Sequence, residues 1–198
     1  DVRRSGRRFE ADAVLDLAAD AQTVWDTITD YDALPRFMPG IHACRVIERR
    51  TLTNATEHLV VEQHGEFRFL LFAQAMTVRL NIEHQALRMA EAKAVSFDLG
   101  LFKRRAIAVF EGRYELTPLA GRRSAPRTHL RYSAVIGLHL PPPPAIGSMA
   151  VRQNLSAQLA AVAQEAARRS GRAPAAPPAR WRTSQPGMMP TPAPLTAL

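Results

Sequence analysis

Tyr114 and Tyr132 are the side chains of this chain best suited to moving a proton or polarising a carbonyl. Both lie in segments with strand-like alternation, and a buried phenol is a hydrogen-bond donor with an apolar body. Glu111, Arg113 and Gln153 are further polar candidates. Alternation sorts the first two from the tyrosine. In "FEGRYEL", Phe110, Gly112, Tyr114 and Leu116 share one face, and Glu111, Arg113 and Glu115 share the other. If Phe110 and Tyr114 face an interior, Glu111 and Arg113 face solvent. Tyr114 therefore reads either as a pocket residue or as a core tyrosine with its hydroxyl satisfied. No residue is assigned a catalytic role on this basis; Tyr114 and Tyr132 stand as the candidates.

Other chemistry has little support in the residues. The six histidines, His42, His58, His64, His84, His129 and His139, form no HxH, HExxH or Cys/His cluster, so nothing specifies zinc or another metal. Scattered strand histidines are expected mostly at the surface. There is no GxSxG elbow, no Gly-rich phosphate loop and no dinucleotide fingerprint, so no cofactor is expected. The one cysteine, Cys44, cannot form an intramolecular disulfide and reads as a small buried apolar residue. The net charge is +8, but 24 of the 26 basic residues are arginine in an alanine-rich chain. No basic run is interleaved with stacking aromatics, which argues against nucleic-acid binding.

The elements that would carry these residues can be read from periodicity. Residues 1–8 form a polar lead-in, and "RFEADAVLDLAAD" alternates as a half-buried strand. Asp20 is placed to cap a helix in which Val24, Trp25 and Ile28 share a face. A second short helix holds "ALPRFM" and ends at Pro39–Gly40. Strands follow near residues 41–50, 55–64, 67–83, 86–98, 104–118 and 127–138, with turns at Asn54, His64–Gly65, "GLFK" (100–103) and "AGRRSAP" (120–126). The third of these strands changes parity midway, and a bulge near Phe72–Ala75 would reconcile its two registers. From Ile146 to Arg169, Val151, Leu155, Leu159, Val162 and Ala166 mark one amphipathic helix, with Gly171 as its cap. Residues 171–198 are a basic, Pro/Ala-rich tail.

Seven hairpin-linked strands and one long helix predict an α+β fold, with a curved antiparallel sheet around that helix. Such a sheet leaves a space suited to a small molecule. The expected lining is Phe37, Met38, Phe69, Met76 and Val78 from the first half, and Phe97, Phe110, Tyr114, Tyr132, Met149 and Gln153 from the second. The "LHLPPPPAIG" connector before the helix would form one rim of the mouth.

The element order, the segment "VWDTITDYDALPRFMPGI" (Val24 to Ile41), "FEGRYELTPL" (Phe110 to Leu119) and the helix "MAVRQNLSAQLAAVAQEA" resemble the START-like (SRPBCC) superfamily, in its polyketide cyclase/dehydrase and coenzyme Q-binding branch. The resemblance covers about residues 9–170. It implies a helix-grip fold with a hydrophobic cavity between sheet and terminal helix. It implies noncovalent binding of a hydrophobic small molecule such as a lipid, an isoprenoid quinone or a polyketide-like compound. A cofactor-independent cyclase or dehydratase is the alternative; in it, the polar groups named above would orient a poly-ketone chain. A ribosome- or protein-interaction module of the same fold is a third reading, which the basic charge permits. No apolar run approaches the ~18–20 residues of a membrane span, while transient membrane contact is compatible with a lipid-carrying role. Some relatives carry export signals, and the chain begins at Asp1; an exported, periplasmic bacterial location is the expectation over a cytoplasmic one.

Overall fold

The computed structural model describes residues 1–53, 56–69, 72–98, 107–119, 126–139 and 144–171. The chain runs β1 (Val2–Ser5), β2 (Arg8–Leu17), α1 (Ala21–Thr29), a 3-10 turn (Tyr31–Ala33), α2 (Leu34–Phe37), β3 (Ile41–Thr53), β4 (Thr56–Phe69), β5 (Phe72–Gln85), β6 (Met89–Asp98), β7 (Ile107–Leu119), β8 (Arg127–Leu138) and α3 (Pro144–Arg169). All strands join one antiparallel sheet in the order β1-β2-β8-β7-β6-β5-β4-β3. The β1–β2 and β3–β4 hairpins form its two ends, and the helical segment from α1 to α2 crosses between them.

Three expectations change. The sheet has eight strands rather than seven, because part of the polar lead-in forms β1, paired from Val2↔Ala11 to Ser5↔Arg8. Gly6, at φ +59°, makes the turn between them, and its left-handed backbone suits a residue without Cβ. The arginines of this segment hid the strand, since its backbone pairing needs no apolar face. Second, no single strand spans 67–83. β4 ends at Phe69 and β5 begins at Phe72, with an unbroken register from Thr56↔Gln85 to Phe69↔Phe72. The parity change is thus a chain reversal, and no bulge is needed. Third, His64–Gly65 lies inside β4 rather than at a turn. Gly65 is there because a Cβ would fall on the Gly40 carbonyl, whose oxygen accepts from Glu66 N–H at 2.8 Å. The two-helix expectation also takes a different form: the helices follow β2, and a 3-10 turn runs directly into a four-residue α2.

Local signals set the helices. Asp20 caps α1, its carboxylate accepting from Thr23 N–H at 2.8 Å and from the Thr23 hydroxyl at 2.9 Å. Val24, Trp25 and Ile28 then bury one face of α1. In α3, Val151, Leu159, Val162 and Ala166 are buried against the sheet and α1. Each large aliphatic side chain so covered contributes roughly 1.5–3 kcal/mol. Gly171, at φ +66°, closes the helix and donates to the Arg168 carbonyl at 3.1 Å.

An ionic clamp fixes where α3 ends. Arg169 reaches Asp30 Oδ2 at 3.0 Å, the Asp26 carbonyl at 3.1 Å and Glu165 Oε1 at 2.8 Å, and Arg168 holds Glu165 from the other side. These arginines hold the Glu165 carboxyl at about 2. The C-terminal turn of α3 is thereby tied to the end of α1, while its N-terminal half spans the sheet. No helix among the described residues is long and apolar enough to cross a membrane. The expected turns at Asn54, 100–103 and 120–125, most of the "LHLPPPP" segment and the tail from 172 onward lie outside the described residues.

Candidate ligand cavity

The sheet bends because its strands twist and because three strands carry extra residues in their pairing: His42, Ile47 and Leu52 on β3, Val95 on β6 and Ala108 on β7. Near the sheet's centre the inward residues are small: Ala90 and Ala92 on β6 and Gly112 on β7 all face inward. Side chains that short cannot span the gap to α3, so a cavity of about 210 Å³ remains. Its wall is mostly apolar. Met76, Val78, Leu80 and Ile82 come from β5, Phe97 from β6 and Phe110 from β7. Ile28 and Leu34 close it from the helical segment, and Val151 and Leu155 from α3. No Lys or Arg lines it among the described residues, and its one carboxylate residue is Glu66, beside Gly40 and Gly65.

Seven of the expected lining residues border this space: Met38, Met76, Val78, Phe97, Phe110, Tyr114 and Tyr132. Three do not. Phe37 turns away toward Arg169, whose guanidinium lies 6.0 Å from its ring centre, and it packs on the core from outside. Met149 is 43% exposed, and Gln153 is exposed. Their neighbours Val151, Asn154 and Gln158 take the inward positions of α3 instead. A helix turns about 100° per residue, so a lining expectation one or two positions off points to solvent. The Phe69 side chain lies outside the described residues. Glu111 and Arg113 are on the outer face, where Arg113 pairs with Glu115 at 3.1 Å.

Two polar groups of the wall stand out. Tyr114 and Tyr132 are directly opposite each other on β7 and β8, their ring centres 4.7 Å apart. Gly112 makes room for them, since a Cβ there would lie 3.3 Å from the Tyr132 hydroxyl. Neither hydroxyl has a hydrogen-bond partner among the described residues. Burial pushes the Tyr114 phenol up to about 12, and raises that of Tyr132 further. Both are therefore protonated donors at neutral pH.

The second group is one the sequence reading missed. His84 is 5% exposed, not a surface histidine. Its Nε2 lies 2.7 Å from the hydroxyl of Tyr31, which lines the cavity, and Trp25 meets its ring edge-on at 5.2 Å. Its Nδ1 faces Glu57 Oε2 at 3.9 Å. The tautomer protonated at Nδ1 turns its N–H toward that carboxylate and leaves Nε2 to accept from Tyr31. Burial lowers the His84 imidazole to about 4, against the opposing pull of Glu57, so the ring is neutral. The signal was present: His84 continues the parity of Met76, Val78, Leu80 and Ile82. Cys44 is also buried, and burial lifts its thiol to about 11, which leaves it unreactive. No three His, Cys, Asp or Glu side chains converge as a metal-ligand set among the described residues.

Residues 17–163 match the family described as polyketide cyclase/dehydrase and lipid transport. No curated protein matches the chain. Among solved structures, a START superfamily protein from Mycobacterium smegmatis is similar, with a TM-score of 0.64 and 16% identity, over 80% of this chain and 97% of that one. The Zhui aromatase/cyclase from a Streptomyces species has a TM-score of 0.58 and 18% identity, over 82% of this chain and 95% of that one. The di-domain ARO/CYC protein BexL has a TM-score of 0.60 and 13% identity, over 83% of this chain and 50% of that one. At these identities the likeness is one of fold.

Proposed function

Because the chain belongs to the polyketide cyclase/dehydrase and lipid transport family, we propose that it binds a hydrophobic small molecule noncovalently, as a carrier or a sequestering protein. The observation that supports this is the cavity between sheet and α3, about 210 Å³ with a mostly apolar wall. An unfilled, mostly apolar space of that size beneath a helix forfeits packing along its walls, and a ligand restores it. The wall suits an uncharged compound: a carboxylate or phosphate inside would lose its hydration with no cation to replace it. A lipid, an isoprenoid quinone or a polyketide-like compound fits that chemistry, with the volume favouring a ring system over a long chain held entirely inside. For scale, ligand pockets commonly run to about 300–1,000 Å³, and a dry cavity of about 150 Å³ takes up one benzene.

Native mass spectrometry of the full chain, followed by organic extraction, tests the reading. Retention of one neutral apolar compound per chain supports it. A cavity that stays empty when the protein is offered mixed lipid and aromatic extracts refutes it.

A second reading has its own support, from Tyr114 and Tyr132. Two protonated phenols side by side in a mostly apolar wall could polarise a ketone in a cyclisation or dehydration. Turnover of a poly-ketone, lost in Tyr114→Phe, would favour this enzyme reading.

A further inference from the structure

We infer that His84 is a positioning residue that makes the cavity respond to pH: with its imidazole neutral, Tyr31 is held as a hydrogen-bond acceptor toward a bound molecule, and with it protonated, Tyr31 becomes a donor. The proposal rests on the cavity being a ligand site, as argued above. Geometry carries it. Tyr31 lines the cavity, and its hydroxyl lies 2.7 Å from Nε2 of His84. His84 is buried beside it, 5% exposed, with its ring stacked on the Tyr31 ring at 5.8 Å. Only one hydrogen fits between the two atoms. While Nε2 is bare, that hydrogen is the tyrosine's, and the phenol oxygen has only lone pairs left to offer. Once Nε2 carries a proton it donates to the phenol oxygen, and the tyrosine's own hydrogen must turn to another acceptor. The wall then offers a donor where it had offered an acceptor, with no heavy atom displaced.

The surroundings confine the exchange to Nε2. Nδ1 faces Glu57 Oε2 of β4 at 3.9 Å, so it keeps its proton in both states. Arg49 of β3, paired with Glu57 at 3.0 Å, is the opposing charge. From α1 the ring meets the edge of Trp25, and its register partner on β6 is Ala90, so neither element adds a charge there. Burial, with a smaller push from Arg49, lowers the free ring to about 4 against the pull of Glu57. A bound carbonyl oxygen that accepts from Tyr31 favours the imidazolium, so by linkage acid tightens its binding. A bound hydroxyl can donate or accept and is served by both states.

The full chain should be titrated with α-tetralone and, separately, with α-tetralol, one bicycle bearing a carbonyl or a hydroxyl, at about pH 7.5 and about pH 4.5. Neither probe ionises in that range, and the ratio of their affinities cancels any general loosening of the fold by acid. With the Tyr31 hydrogen bond worth roughly tenfold, the ketone-to-alcohol ratio should rise about threefold on acidification. The rise should vanish in Tyr31→Phe, which removes the hydroxyl, and in His84→Gln, which keeps a polar partner that does not titrate. Binding of α-tetralol at the higher pH shows that each variant is folded, and the wild-type ratio is decisive by itself should one fail to fold. A flat ratio in the wild type, or binding of only one compound, overturns the switch and leaves the cavity reading standing. A rise that persists in His84→Gln overturns the assignment to His84. Failure of both compounds to bind the wild type overturns the proposal together with the reading beneath it.

Discussion

Acidification from about pH 7.5 to about pH 5 should weaken the fold through one residue, His84. In the unfolded chain its imidazole takes up a proton near the ordinary value of 6.5; in the folded chain it resists until about 4. Between those values the unfolded state binds more protons, so stability falls as pH drops. The contribution is complete above about 6.5 and is lost as pH falls through about 4. The full span of the shift corresponds to ~3 kcal/mol, at about 1.4 kcal/mol for each tenfold, and about 2 kcal/mol of it should appear by pH 5. The groups facing the ring are Glu57, which favours its protonation, and Arg49, which opposes it. Glu62 and Glu165, held at about 2 by their arginines, lose their contribution mainly below this window. Urea unfolding at the two pH values measures the effect, with His84→Gln as the control. The glutamine carbonyl can still accept from Tyr31, and the five other histidines are common to both proteins. The wild type should lose about 2 kcal/mol more than the variant on acidification, with unchanged m-values. Equal losses in the two proteins would show that His84 is not a buried neutral base.

Two other outcomes follow from local geometry. Asp20→Ala removes the cap that holds Thr23 N–H and should cost about 1 kcal/mol in thermal or urea unfolding. Gly65→Ala would drive a Cβ into the Gly40 carbonyl at the cavity rim, so about 1–3 kcal/mol of stability should be lost; Gly6→Ala, with nothing near its Cβ, should cost less despite its positive φ.

The helices and most strands were legible because each carries a clean period. The Asp20 cap, the buried Val24–Trp25–Ile28 face and the stripe from Val151 to Ala166 were all visible at helical spacing. Elements without that apolar signal were not. β1 is held by backbone pairing and presents arginines, so its sequence looks like a polar lead-in. The β4–β5 hairpin is apolar across its turn, which conceals the reversal inside what reads as one strand. In the cavity, strand parity located Met76, Val78, Phe110, Tyr114 and Tyr132, because alternate residues keep to one face of a sheet. Positions on α2 and α3 were harder, since one step along a helix rotates a side chain out of the wall: Met38 points in while Phe37 does not. The pairing of Tyr31 with His84 joins residues 53 positions apart, and no local pattern announces it.

Filling the cavity is the most direct test of the central claim. Ala92 faces the space from β6, between Ile82 and Gly112, and Ala92→Phe would place a ring in it. A fluorescence titration with β-naphthol should give saturable one-to-one binding to the wild-type chain, and none to a variant that keeps its cooperative thermal unfolding. Equal binding by the two proteins would place the ligand elsewhere and contradict the account.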